Sequence, residues 1–173
     1  IELRDIVSAE VSVLDLSKLP SEEAKDIIVE WLLRKMLKWR VRRGLKTDRI
    51  RYIVIDEAHR VAKTVVENGS VVLESIISIV MRESRKYGIG LILSTQRYTD
   101  LPDSVRVNAS TKIFMRMDSR ESIEEIATVL FGDKSSASYK LSSLGRHECV
   151  VVDSVLAKKM CAVHVKVTPF FER

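Results

Sequence analysis

The chain has 173 residues, with 29 Lys and Arg against 24 Asp and Glu, a formal net charge of +5 and a pI near 9.3. Hydrophobic residues make up 46% and charged residues 31%, which excludes an acidic disordered chain and fits a globular domain with a core of useful size. No apolar run approaches the roughly 20 residues needed to span a bilayer, and the start Ile1-Glu2-Leu3-Arg4 does not read as a signal peptide, so a cytoplasmic protein is expected.

In chain order, Val11–Leu16 is a short apolar run that reads as a strand. Ser21, followed by Glu22 and Glu23, is a helix N-cap with acids on the first turn. It opens a helix to Arg43, with apolar positions Ile27, Ile28, Trp31, Leu32, Met36 and Trp39 spaced by three and four and Gly44 as the stop. Trp31 and Trp39 read as packing. Arg34, Lys35, Lys38, Arg40, Arg42 and Arg43 make the last turns basic. They complement the helix dipole, or meet a phosphate or a neighbouring subunit. Arg51–Asp56 is a continuous apolar run ending in an acid, as in a buried parallel strand. A helix is expected from about Ser70 to Tyr87, closed by Gly88. Ile89–Thr95 reads as a second buried strand, and Leu101–Asn108 as a loop and short helix. Thr111–Met117 reads as a strand, and Asp118 with Glu121 as a capping box opening a helix to Phe131, stopped by Gly132. Lys134–Leu144 is polar and Ser-rich. After Gly145, His147–Asp153 and Ala162–Val167 read as a hairpin. Alternating strands and helices predict an α/β fold with a mostly parallel sheet, whose chemistry gathers at the carboxyl ends of the strands.

The first such end is Asp56-Glu57-Ala58-His59, the Walker B pattern of nucleotide hydrolases. Asp56 would hold the Mg²⁺ shell through water, and Glu57 would polarise the water that attacks the γ-phosphate. Successive strand residues point to opposite sides, so one acid can face metal and the other water. The second end is Ser94-Thr95-Gln96-Arg97. Thr95 and Gln96 offer a hydroxyl and an amide, which contact a γ-phosphate without a charge that competes with Mg²⁺. Arg82 and Arg85 end the helix before this strand and are candidates for an arginine finger acting on a neighbour's nucleotide. Arg97 and Arg116 are weaker candidates. His59 reads as a structural histidine. Cys149 and Cys161, twelve apart, match no metal or redox spacing.

Taken in order, Arg51–Ala62 (RYIVIDEAHRVA), Met81–Gly88 (MRESRKYG), Leu91–Arg97 (LILSTQR) with Leu101-Pro102, and Asn108–Arg116 (NASTKIFMR) resemble HerA-type ATPases of the FtsK–HerA superfamily. The resemblance runs from about Val11 to Val167. It implies a RecA-like P-loop NTPase core, ATP and Mg²⁺ as cofactors, and a homo-hexamer that moves duplex DNA, with a NurA-type nuclease as partner in DNA end processing or repair. It gives Asp56 and Glu57 as the Walker B pair, Gln96 as the sensor, and Arg82 or Arg85 as the finger.

No GxxxxGK[ST] loop, whose backbone N–H groups cradle phosphates, occurs in these residues. Residues 1–173 are therefore expected to be the C-terminal portion of a single RecA-like domain, ending in a β-hairpin. Alone, they should turn over little ATP. Three alternatives remain. One is a secretion or conjugation ATPase of the same superfamily, and another is a non-catalytic assembly module. The third is a helicase of the superfamily named for its Asp-Glu-Ala-His box, although there the next strand ends Ser-Ala-Thr and here it ends Ser-Thr-Gln.

Overall fold

The computed structural model describes residues 3–44, 50–63, 65–67, 70–117, 119–131, 141–153 and 161–168. The chain divides into two compact units, residues 1–96 with 100–108, and residues 97–99 with 109–173.

In the first unit, α1 (Leu3–Ser8) precedes the long α2 (Glu22–Arg43). The expected caps form. Ser21 is extended and its Oγ accepts from the Ala24 N–H at 3.2 Å, while Gly44 at φ 81° returns its N–H to the Val41 carbonyl. The buried stripe shares Met36 with the expected one but otherwise differs. Met36 is buried with Leu33 and Arg40, whereas Ile27 is 66% and Trp31 48% exposed. Both stripes satisfy a spacing of three and four, so periodicity alone does not choose between them. The indoles instead carry cations: the Lys35 ammonium sits 5.6 Å from the Trp31 ring and the Arg43 guanidinium 4.3 Å from Trp39. Arg40, buried, donates to the Gly88 carbonyl at 3.4 Å and so ties α2 to the turn at Gly88.

Val11–Leu16 is not a strand. Val11 and Val13 stand in solvent, and the segment closes on itself: the Asp15 carboxylate accepts from the Ser17 N–H at 2.9 Å and the Leu16 carbonyl from the Leu19 N–H. A short side chain that bonds the backbone locally competes with a strand ladder.

β1 (Arg51–Ile55) and β4 (Ile89–Leu93) pair in parallel, with Arg51 opposite Ile89 and Ile55 opposite Leu93. Ile55 and Ile89 are buried, but Tyr52, Val54 and Ile92 are exposed, so the pair is covered on one face rather than both. Gly90 lies beneath the Tyr52 ring, where an added Cβ would come within 2.6 Å of ring carbons. Between these strands, β2 (Val65–Glu67) and β3 (Ser70–Leu73) form an antiparallel pair. The helix expected from Ser70 therefore begins only at α3 (Ile76–Glu83), N-capped by Ser75. The β-branched pairs Val65-Val66 and Val71-Val72 on either side of Asn68-Gly69 prefer a hairpin to a helical turn. A 3-10 turn (Ser84–Tyr87) and left-handed Gly88 (φ 67°) close α3, as expected. α4 (Asp103–Asn108) packs on α3, and Ile77, Val80 and Val105 are buried.

In the second unit, β5 (Thr111–Met115), β6 (Glu148–Asp153) and β7 (Cys161–Lys166) form an antiparallel sheet in the order β5-β6-β7. The C-terminal hairpin is thus present, and β5 joins it rather than the parallel pair. Phe114, Val150 and Val152 pack with Ile123 and Ile126 of α5 (Arg120–Phe131) and with Leu141 and Leu144. Tyr98 meets Phe114 edge to face at 5.5 Å. The Ser119 hydroxyl accepts from the Ser122 N–H at the start of α5. The expected cap Asp118, the stop Gly132 and residues 134–140 lie outside the described residues. Among the described residues, no helix is long and apolar enough to cross a membrane.

Candidate active site

Because β1 and β4 run parallel, their carboxyl ends emerge side by side. The ladder continues past both strands. The Ser94 N–H bonds the Ile55 carbonyl and the Ala58 N–H bonds the Ser94 carbonyl, each at 2.9 Å. These bonds hold Asp56-Glu57 against Ser94-Thr95-Gln96.

Asp56 is exposed, and its Oδ1 accepts from the Glu57 N–H at 3.0 Å. Glu57 has left-handed backbone angles, φ 50° and ψ 43°. For a residue other than glycine this is uncommon and costs on the order of 1 kcal/mol. It turns the chain from β1 into the 3-10 turn Ala58–Arg60 and aims the carboxylate at the end of β4. There, Gln96 Nε2 donates to Glu57 Oε1 at 2.9 Å. Thr95 Oγ1 lies 3.1 Å from His59 Nδ1, which is also 3.3 Å from Glu57 Oε2. Four of the residues read from the sequence, Asp56, Glu57, Thr95 and Gln96, thus come together in one cluster. His59, read from the sequence as structural, is part of the same cluster.

The arginines are not in it. α3 and its 3-10 turn lead into the amino end of β4, where the Arg51 N–H bonds the Gly88 carbonyl at 2.9 Å. The five residues of β4 separate that end from Gln96, roughly 15 Å of strand. Arg82 and Arg85 therefore do not reach the Gln96 tip of their own chain. Arg82 is engaged bidentately by Glu74, with Nη1–Oε1 at 2.6 Å and Nη2–Oε2 at 3.1 Å. This bond, and then the attraction of the two charges, raises the Arg82 pKa, and Arg82 in turn lowers that of Glu74. Arg85 is exposed and forms no ion pair among the described residues. Arg97 and Arg116 fall in the second unit.

A hard divalent cation fits the acid tip. Mg²⁺ is typically bound through one or two carboxylates, the rest of its octahedron being phosphate and water. Asp56 offers one exposed carboxylate with an oxygen beyond its bond to Glu57. Among the described residues no three His, Cys, Asp or Glu converge into a protein cage.

A parallel pair with adjacent carboxyl tips bearing Asp-Glu and Thr-Gln is the arrangement of a P-loop ATPase core, and solved structures agree on the fold. The genome packaging NTPase B204 of Sulfolobus turreted icosahedral virus 2, in complex with ATP-gammaS, superposes with a TM-score of 0.68 at 24% identity over 98% of this chain and 72% of its own. VirB4 of Thermoanaerobacter pseudethanolicus gives a TM-score of 0.58 at 14% identity, over 88% of this chain and 39% of that one.

Sequence comparison narrows the class: the chain's homologues include HerA helicases. A probable helicase of Methanocaldococcus jannaschii, MJECL08, is 31% identical over 168 residues, 88% of this chain and 30% of the relative. The DNA double-strand break repair helicase HerA of Sulfurisphaera tokodaii is 28% identical over 166 residues, 92% of this chain and 32% of the relative. The chain thus spans about a third of the length of these curated relatives. No protein-family model matches it.

Proposed function

We propose that residues 1–173 are the C-terminal portion of a RecA-like domain in an ATP-driven DNA translocase or helicase, working as a homo-hexamer on duplex DNA in end processing or repair. The observation that carries this reading is the 2.9 Å hydrogen bond from Gln96 Nε2 to Glu57 Oε1. It couples a carboxylate able to take a proton from water to an amide able to sense phosphate, across two parallel strand tips.

In this reading the residues take the following roles. Asp56 would hold Mg²⁺ through water, and the ion, when bound, would supply charge to offset that of the phosphates. Glu57 orients the attacking water and accepts its proton. Gln96 keeps a second amide hydrogen for the γ-phosphate, and Thr95 lies beside it at the same strand tip. The cradle for the phosphates comes from outside these residues, since no such loop occurs within them. An arginine finger acts between subunits, because Arg82 and Arg85 sit at the far end of β4. Arg85 is the better candidate, as Arg82 is held by Glu74.

DNA as the partner agrees with the name of the Sulfurisphaera tokodaii relative, a DNA double-strand break repair helicase, and with the exposed basic side of α2, where Arg34, Lys38 and Arg42 face solvent. A NurA-type nuclease is the implied further partner. The conjugation-type alternative, in keeping with the fold shared with VirB4, has the same hydrolytic tips. ATP hydrolysis by the intact protein, measured alone, with single strands and with duplex, tests the reading. Stimulation by duplex that fades as salt rises is expected. Turnover indifferent to both forms of DNA overturns the DNA assignment.

A further inference from the structure

His59 has no part in the roles given above, yet its surroundings are those of the acid. It lies two residues after Glu57 on the 3-10 turn, with its side chain only 16% exposed. Residues two apart on a helix do not face each other. These two meet because Glu57 adopts the left-handed conformation. The consequence is a carboxylate with a neighbour at each oxygen. Oε1 takes the Gln96 amide at 2.9 Å in a hydrogen bond, and Oε2 lies 3.3 Å from His59 Nδ1. Nδ1 is in turn hydrogen-bonded to Thr95 Oγ1 at 3.1 Å. Both approaches therefore lead to neighbouring residues of the β4 tip, one directly and one through the imidazole.

The chemistry of the imidazole fixes the sense of this contact. A bare Nδ1 lone pair facing a carboxylate oxygen would be repelled by it. An Nδ1–H donates to it, and a charge-assisted bond of this kind is stronger than a neutral one. A proton on Nδ1 suits both neighbours: it is donated to Thr95 Oγ1, with which Nδ1 is hydrogen-bonded, and it faces the negative Glu57 Oε2 3.3 Å away rather than a lone pair. A carboxylate held at one oxygen only still rotates about its last torsion, whereas one held at both presents a fixed lone pair to water, and catalytic groups depend on such orientation.

We infer that His59 is a positioning residue for Glu57: its Nδ1–H, braced by Thr95, holds Oε2 while Gln96 holds Oε1. The direction in which the acid faces water is thereby set from the β4 tip. This rests on the reading of Glu57 as the acid that polarises water.

The test uses the intact protein and three substitutions at one position. His59→Ala should lower kcat on the order of tenfold or more, the usual size for loss of an outer-shell partner, with KM for ATP within about twofold. His59→Asn, whose amide nitrogen falls near the place of Nδ1, should recover most of the loss. His59→Gln, whose amide reaches instead toward the place of Nε2, should not. A separate readout needs no nucleotide. The ¹⁵N shifts of the His59 ring should report the Nδ1-protonated form, and Glu57→Gln should shift that population. Equal kcat in the Ala and Asn variants overturns the inference, as does an Nε2–H ring indifferent to Glu57→Gln. Wild-type turnover in Glu57→Gln instead overturns the assignment of Glu57 itself, and the inference with it, whatever the ring reports.

Discussion

The β1–β4 tips and the β5-β6-β7 sheet are built from similar strands, yet they put their residues to opposite uses. In the antiparallel sheet, alternate side chains turn inward: Phe114, Val150 and Val152 are buried with the apolar face of α5. What matters there is volume and packing. At the parallel tips, Asp56 and Gln96 are exposed and Glu57 and His59 only partly covered, and they contact one another through polar atoms. What matters there is direction. Burial stabilises the first region, while the second contributes little to stability and even carries an unfavourable backbone conformation at Glu57. Activity and stability should therefore separate cleanly under mutation.

The largest expected effect is at the tip. Glu57→Gln keeps the shape and the contact to Gln96 but cannot accept a proton. In the intact protein, turnover should fall by two to four orders of magnitude, with nucleotide binding and thermal midpoint little changed; a matching fall in the midpoint would blur the contrast. The counterpart in the sheet is Phe114→Ala. Removing this side chain from a core where Tyr98 meets its ring should cost about 3–5 kcal/mol in denaturant unfolding. A loss below about 1 kcal/mol would show that the core closes over the gap.

The smallest effect tests the polar edge of the same sheet. The Gly145 N–H, then the charge of His164, hold the Glu148 pKa below its ordinary value of 4.5. A carboxyl lowered in the folded state adds stability above that value, and loses it as pH falls through the folded one. Glu148→Gln should therefore flatten the fall in stability below about pH 4.5 and leave the curve near pH 7 with a small constant offset. An unchanged acid limb in Glu148→Gln would assign the loss to other carboxyls.

Much of this contrast was legible in the residues. The continuous run Tyr52–Ile55 and the run Ile89–Leu93 both announce strands, and parallel pairing follows from the helix between them. Once the strands are parallel, Asp56-Glu57 and Thr95-Gln96 must share an edge, which is why those four positions were readable without coordinates. The caps of α2 were equally plain, because Ser21 and Gly44 act through local backbone geometry. What failed was whatever depends on a partner. Val11–Leu16 has strand composition, but its backbone bonds locally. The α2 stripe, right at Met36, could have rotated either way until its neighbours chose Leu33 and Arg40. The β2–β3 pair was hidden behind an expectation of helix, although Asn68-Gly69 between β-branched pairs is a hairpin signal. The place of His59 was not readable at all, since it depends on one positive φ at the residue two before it.

That same twist at Glu57 has an evolutionary reading. Asparagine and glycine enter the left-handed region more easily than glutamate does, so either would relax the turn while deleting the acid. Populations screened only for survival of heat would drift toward those replacements, whereas populations screened for fuel consumption would be held at glutamate. The codon for residue 57 is thus a place where the two selections can be watched pulling apart.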